Sequence, residues 1–324
     1  MSYTAALLAP ELGQWLRRVH SLSLGAAGNV PLHTTRLLLC LVLFSAGLQV
    51  PVRALGTLLR RPTAMLAGLT LHLTIPLVAI PAVALMLRQT SDTDGGSGLV
   101  AAMILIVAMP VAAGATVWTG KGAGDQPTMV GLVLASTLLS PFSTPLVIHA
   151  LLPHLSDSYA HTLTSAESSA NATFAFVDVV LPCAAGLLCR LALPALALKR
   201  LISAIVPLAL AGSFVLTYVN ASGAFGSFLD RPRPALLAGA IAVAALVCLM
   251  SMAVGRTAAR MLRLEASTAA SLTLACGMNN SSASAVLISS VLPDKPHLLL
   301  PVLAYGLIQK TAANRVVRPK SSSS

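Results

Sequence analysis

Apolar stretches recur along this chain at the scale of a lipid bilayer. A helix needs about twenty mostly apolar residues to cross a hydrocarbon core roughly 30 Å thick. Nine such stretches can be marked, at roughly 34–50, 63–88, 98–118, 127–152, 172–192, 199–221, 234–255, 266–293 and 296–316. The first thirty residues differ. Glu11, Arg17, Arg18 and His20 interrupt them, and Gly25, Gly28 and Pro31 follow. They read as an amphipathic interfacial helix or as a degenerate tenth span. The expected fold class is an all-α polytopic membrane protein of nine to ten transmembrane helices.

A Ser-, Thr- and His-rich stretch, 153–171, divides the spans. The expected organisation is an N-terminal segment 1–33, a first repeat 34–152 with four clear spans, and an outer connecting loop 153–171. A second repeat with five spans follows at 172–317, then a short disordered polar tail, 318–324. If the N-terminal segment counts as a worn span, each half holds five. An odd number inverts the second copy, which is the layout of inverted-repeat transporters.

Composition narrows the class. Of 324 residues, 56% are hydrophobic and 10% are charged, against about 25% charged in a soluble domain. Mean hydropathy is +0.83. A disordered chain, a secreted disulfide scaffold and an ordinary cytosolic enzyme are excluded. The net charge is +11, but the basic residues are scattered in short loops. They form no stripe and no aromatic platform, so no nucleic-acid partner is expected. The five cysteines, Cys40, Cys183, Cys189, Cys248 and Cys276, lie in apolar runs without a C-x-x-C pair. They read as small buried hydrophobes, and neither a metal site nor a cofactor is read from them. The N-terminus has no short basic region leading into an apolar core, so no cleaved signal peptide is expected.

Basic residues set the orientation. Fourteen of the twenty-one Lys and Arg fall on one side: Arg53, Arg60, Arg61, Lys121, Arg190, Lys199, Arg200, Arg256, Arg260, Arg263, Lys310, Arg315, Arg318 and Lys320. The opposite loops hold Arg88, Arg231, Arg233 and Lys295. The C-terminus is expected in the cytoplasm, with the chain in the plasma membrane, or the inner membrane of a bacterium.

Two spans are interrupted at corresponding places, each the penultimate span of its half. The third reads AMPVAAGATVWTG over 108–120, where Pro110 removes a backbone donor and Gly114 loosens the helix. The eighth reads ACGMNNSSASAV over 275–286, with Gly277, Asn279, Asn280, Ser281, Ser282 and Ser284 in mid-span. Irregular backbone at membrane depth survives only when protein or a water-filled cavity covers it. Two broken helices meeting near the midplane would offer amides and carbonyls to a solute. The plainer reading is polar glue between helices.

At these breaks the sequence resembles the bile acid:sodium symporter family. Four stretches carry the resemblance: FSAGLQVPVRALGTLLRRPTAMLAGL from Phe44, the third-span break running on to STLLSPFSTP from Ser136, VVLPCAAGLLCRLALP from Val179, and CGMNNSSASAV from Cys276. The resemblance covers nearly the whole chain from residue 34. It implies ten spans in two inverted five-helix repeats, a panel domain and a core domain, and the two broken spans crossing as unwound helices. It also implies sodium-coupled uptake of organic anions such as bile acids, steroid conjugates, pantothenate-like acids or keto acids.

Departures from the family pattern fall on its sodium ligands. The glutamate before the second crossing glycine is Ala275, and the glutamine after it is Asn279. The Ser-Asn pair of the first crossing helix falls on Ala115 and Thr116. Two hydroxyl ligands of the next helix fall on Met129 and Val133, and a third-helix glutamine on His72. The first sodium site is therefore expected to be absent. What is left of the second would rest on backbone carbonyls, Asn279 and His72, so sodium is a doubtful coupling ion.

In the last span the family's His-Asn pair falls on Gln309 and Lys310. Lys310 has two readings. Either it snorkels to the cytoplasmic interface, or its ammonium takes over part of the missing cation's work and loads a proton for coupling. Thr116, Asn280 and Ser281 would present donors to a substrate carboxylate, with Gln309 and Lys310 nearby. Asp178, the acid inside TFAFVDVVLP, is a candidate by its position. His149 and His154 stand at the outer end of the fourth span. Trp118 reads as an interface anchor and Tyr305 as a packing aromatic.

The expected function is secondary active transport of a small organic anion by alternating access. The competing reading is a transport-inactive membrane sensor or scaffold that keeps the fold. An intramembrane enzyme is not expected, because no paired acids, H-E-x-x-H or Ser-His arrangement occurs. The expected partners are the anion and membrane lipid, with the chain as monomer or homodimer.

Overall fold

The computed structural model describes residues 2–18, 20–23, 29–51, 62–88, 96–122, 124–165, 172–230 and 232–317. The expected polar tail, 318–324, lies outside them. Among the described residues five helices are long and apolar enough to cross a bilayer: Pro62–Leu87, Gln126–His154, Ala172–Ala192, Ala195–Asp230 and Pro234–Met261. This is an all-α membrane architecture. The count falls short of nine because two expected spans are broken into half-helices and two others are shorter or more polar.

The N-terminal segment is not one helix. Helix α1 (Ser2–Leu8) ends before Pro10, which starts α2 (Pro10–Arg17) at a position where a missing N–H costs nothing. An antiparallel hairpin of β1 (His20–Ser23) and β2 (Asn29–Leu32) follows. No strand was expected here. The Gly25, Gly28 and Pro31 pattern had marked only where helix stops.

Then come α3 (Thr34–Leu48), α4 (Pro62–Leu87), the half-helices α5 (Ser97–Val107) and α6 (Gly114–Lys121), and α7 (Gln126–Leu151). Asp125 caps α7, accepting from Thr128 N at 3.2 Å and from Thr128 Oγ1 at 2.7 Å. The segment expected as an outer loop carries helix α8 (Asp157–Ser165), anchored by buried Tyr159 under the Lys295 ammonium.

The back half starts with a π-helical stretch, Ala175–Val180, leading into α9 (Leu181–Ala192). Next are α10 (Ala195–Asp230), α11 (Pro234–Met261), the half-helices α12 (Ala266–Gly277) and α13 (Ser281–Val291), and α14 (Leu299–Val317).

The helices pack in two groups. Helices α3, α9 and α10 lie together, with α1 and α2 laid along α10. Two glycines set the α3–α9 approach reciprocally. A Cβ on Gly47 would sit 2.0 Å from the Cys183 carbonyl oxygen, and one on Gly186 would sit 2.1 Å from that of Phe44. Close approach through small residues is how helices associate where lipid offers no hydrophobic gain. The second group is α4, α7, α11, α12 and α14. Half-helix α5 lies deep inside it, with every side chain from Leu99 to Val107 buried. A helix apolar all round is expected at such a position.

Candidate functional site

Both sequence breaks are present, and they meet. The helix of α5 stops at Val107 and α6 starts at Gly114; α12 stops at Gly277 and α13 starts at Ser281. Between them the two unwound segments run antiparallel, with Val111 bridged to Asn279. Ala112 N donates to the Met278 carbonyl at 2.8 Å, and Asn280 N donates to the Pro110 carbonyl at 3.0 Å. Each break thus satisfies the backbone groups that the other leaves open. A hydrogen bond left unmade in such surroundings costs about 1–3 kcal/mol.

Side chains complete the pairing. Ser136 Oγ accepts from Val111 N at 3.1 Å, and Thr144 Oγ1 donates to the Ala108 carbonyl at 2.9 Å. Both belong to the STLLSPFSTP stretch. Their Ser/Thr spacing on one apolar helix was the available signal. Tyr305, expected to be a packing aromatic, is fully buried and central to the crossing. Its hydroxyl donates to the Gly277 carbonyl at 3.1 Å and accepts from Asn279 Nδ2 at 3.1 Å.

The other expected residues divide by location. Asn280 caps α13, its Oδ1 accepting from Ala283 N at 3.1 Å. Thr116 Oγ1 donates to the Ala113 carbonyl at 2.7 Å. Thr116, Asn280 and Gly114 all line one cavity of about 410 Å³. A Cβ on Gly114 would meet nothing within 4 Å, because it would point into open space. Ser45 of α3, Gln49 at its C-terminal cap and Ser213 of α10 also line it. The cavity therefore lies between the two helix groups, against the crossing.

Ser281 is turned elsewhere. Its Oγ accepts a long, 3.5 Å contact from Gln309 Nε2. Gln309 is buried while its neighbour Lys310 is exposed, so the crossing does not include Lys310. His72 is buried on α4 and reaches the main chain at Met109, in the first break. Asp178 sits in the π-helical stretch and faces Arg36 of α3 at 3.8 Å. Trp118 carries the Lys121 ammonium 5.1 Å from its ring centre.

The sequence matches the sodium bile acid symporter family over residues 36–231. The chain belongs to that family. Its members are transporters, so the protein belongs to a class of integral membrane carriers and not of enzymes. The match spans the first break and ends before α11, so the second break lies beyond it. No curated protein compared with the chain matches it.

The family name implies sodium, and the residues at the crossing do not fit it. Ala115, Met129, Val133 and Ala275 are buried and apolar, and none offers a side-chain oxygen. Main-chain oxygens nearby are engaged: Gly277 O by Tyr305, Met278 O by Ala112, and Asn279 O by Ser281 N at 2.8 Å. Asn279 Oδ1 and Gln309 Oε1 are buried without a hydrogen-bond partner among the described residues. Two neutral amide oxygens are a poor cage for a hard cation, which takes several oxygens and favours carboxylate.

Proposed function

We propose that this protein is a secondary transporter of a small organic anion, working by alternating access. The single observation that carries this is the pair of half-helix starts, at Gly114 and Asn280, on the wall of one cavity. A helix start carries roughly half a unit of positive charge from its unpaired N–H groups. Two of them aimed at one space favour a carboxylate or sulfonate there, with Thr116 and Asn280 as neighbouring polar side chains. The two helix groups would act as the panel and core, and the core would rock against the panel around the crossing.

Sodium is not proposed as the coupling ion. Whether a proton replaces it is a question for transport, and Lys310 and His72 are the titratable groups to test. Uptake of radiolabelled taurocholate and pantothenate by the full chain in proteoliposomes decides the matter, with sodium and proton gradients imposed separately. We expect uptake that a sodium gradient alone does not drive. Flux driven by sodium alone would overturn the reading of the crossing, and no flux of either anion would favour a sensor or scaffold.

A further inference from the structure

A second and larger cavity, of about 1130 Å³, opens at the end of the bundle where α2, α10 and α13 finish and α3, α11 and α14 begin. By the charge asymmetry this is the outer end, where basic residues are rare. Even so, four arginines line this one cavity: Arg233 from an outer loop, and Arg17, Arg18 and Arg36 from the N-terminal region. Two acids, Asp230 and Asp294, share the lining. Among the described residues neither lies within ion-pair distance of the four arginines. Orientation in the membrane therefore gives no reason for this clustering, and local pairing accounts only for Arg36, which meets Asp178.

Two of these arginines, Arg17 and Arg36, have identifiable neighbours. Helix α2 lies on a face of α10 made of small residues. A Cβ on Gly223 would sit 2.3 Å from Arg17 Nη1, and one on Gly226 would sit 1.9 Å from Gln14 Nε2. On the other helix, a Cβ on Gly13 would meet Ser222 Oγ at 2.2 Å. The Arg17 guanidinium thus packs directly over Gly223. Arg36 meets Asp178 at 3.8 Å, beyond the 2.7–2.9 Å or so of a strong charge-assisted bond. Its Nε is buried with no partner among the described residues. Ser289 and Ser290, at the end of α13, add hydroxyls to the same wall.

We infer that this outer cavity is a binding site for the acidic group of an organic anion, held by Arg17, Arg36 and Arg233. Guanidinium groups suit it, since their planar fork pairs with two oxygens of a carboxylate, sulfonate or phosphate. The inference extends the transporter reading: the site would collect the solute on the side of the membrane opposite the 410 Å³ cavity. It is tested by binding, which requires no transport, so the two readings fail separately.

The experiment is equilibrium binding of radiolabelled sulfate and succinate to the full chain in phosphatidylcholine nanodiscs. Saturable binding is expected, weakened about tenfold or more by Arg17→Gln and by Arg233→Gln, in line with loss of a charge-assisted contact. Gly223→Val should do the same without removing a charge, by displacing Arg17. Lys199→Gln, on the opposite side, should change nothing. Thermal unfolding of each variant separates a local effect from loss of fold. Equal binding by wild type and the arginine variants, or no saturable binding of either anion, would overturn the site. Binding abolished when phosphatidylglycerol replaces part of the phosphatidylcholine would overturn the solute assignment and make a lipid headgroup the source of the same acidic chemistry.

Discussion

The two breaks reach one geometry by different chemistry. The first runs from Ala108 to Ala113 and contains no polar side chain; Pro110, which has no N–H to donate, ends α5. The second is Met278, Asn279 and Asn280, with two polar side chains; Asn280 ends the unwound stretch by capping α13 with its own side chain. Their surroundings differ as well. A Cβ on Gly114 points into space, whereas one on Gly277 would sit 2.2 Å from Met252 Cγ and 3.2 Å from the Cys248 carbonyl oxygen. Gly114 faces the cavity, whereas Gly277 is clamped by α11 and its carbonyl is held by Tyr305 of α14. Both breaks reach the cavity, through Gly114 and Asn280, but the second is also packed tightly against α11 at Gly277.

Gly277→Val should break that contrast most severely. Overpacking against α11 should cost about 1–3 kcal/mol or more, read as a fall in thermal unfolding temperature in detergent. Gly114→Ala should leave the stability within about 0.5 kcal/mol of wild type yet lower uptake by narrowing the cavity. Equal destabilisation by the two would remove the distinction. Tyr305→Phe comes next. It leaves the Gly277 carbonyl and the Asn279 amide each one partner short, a loss of about 1–3 kcal/mol measurable by chemical unfolding. If it proved as stable as wild type, Tyr305 would be only a packing aromatic.

Asn280→Ala should cost about 1 kcal/mol through the lost cap, and should impair uptake further because the same residue lines the cavity. Asn280→Asp keeps the capping oxygen and should recover the stability. It should not recover the uptake, since a carboxylate there repels an anion. The smallest effect is expected from Lys310→Ala, within about 0.5 kcal/mol for an exposed side chain. Its informative readout is the pH profile of uptake. A flattened profile would bring Lys310 into coupling even though it stands outside the crossing.

Much of this was legible along the chain, because the causes were local. Nine apolar runs became helices or pairs of half-helices near the expected limits. Both breaks fell where a proline or an asparagine competes with the helical hydrogen bond. Thr116 and Asn280 were picked from those breaks and share a cavity. Lys310 was picked by counting along a span, and counting carries no information on which way a side chain faces; the structure leaves it exposed beside buried Gln309. The N-terminal segment was the least legible. Its hairpin depends on pairing, and its helices lie on α10, two hundred residues away.

The sequence by itself determined the solvent, the segment lengths and the places where helices cannot continue. It also determined the missing oxygens, since Ala115, Met129, Val133 and Ala275 lack side-chain oxygens in any fold. Only the tertiary structure decided that the breaks satisfy each other, that Tyr305 bonds to one of them, and that Arg17, Arg36 and Arg233 converge on one cavity. Those contacts join residues up to two hundred positions apart. Local pattern fixes where a backbone group is left unpaired, and packing alone selects its partner.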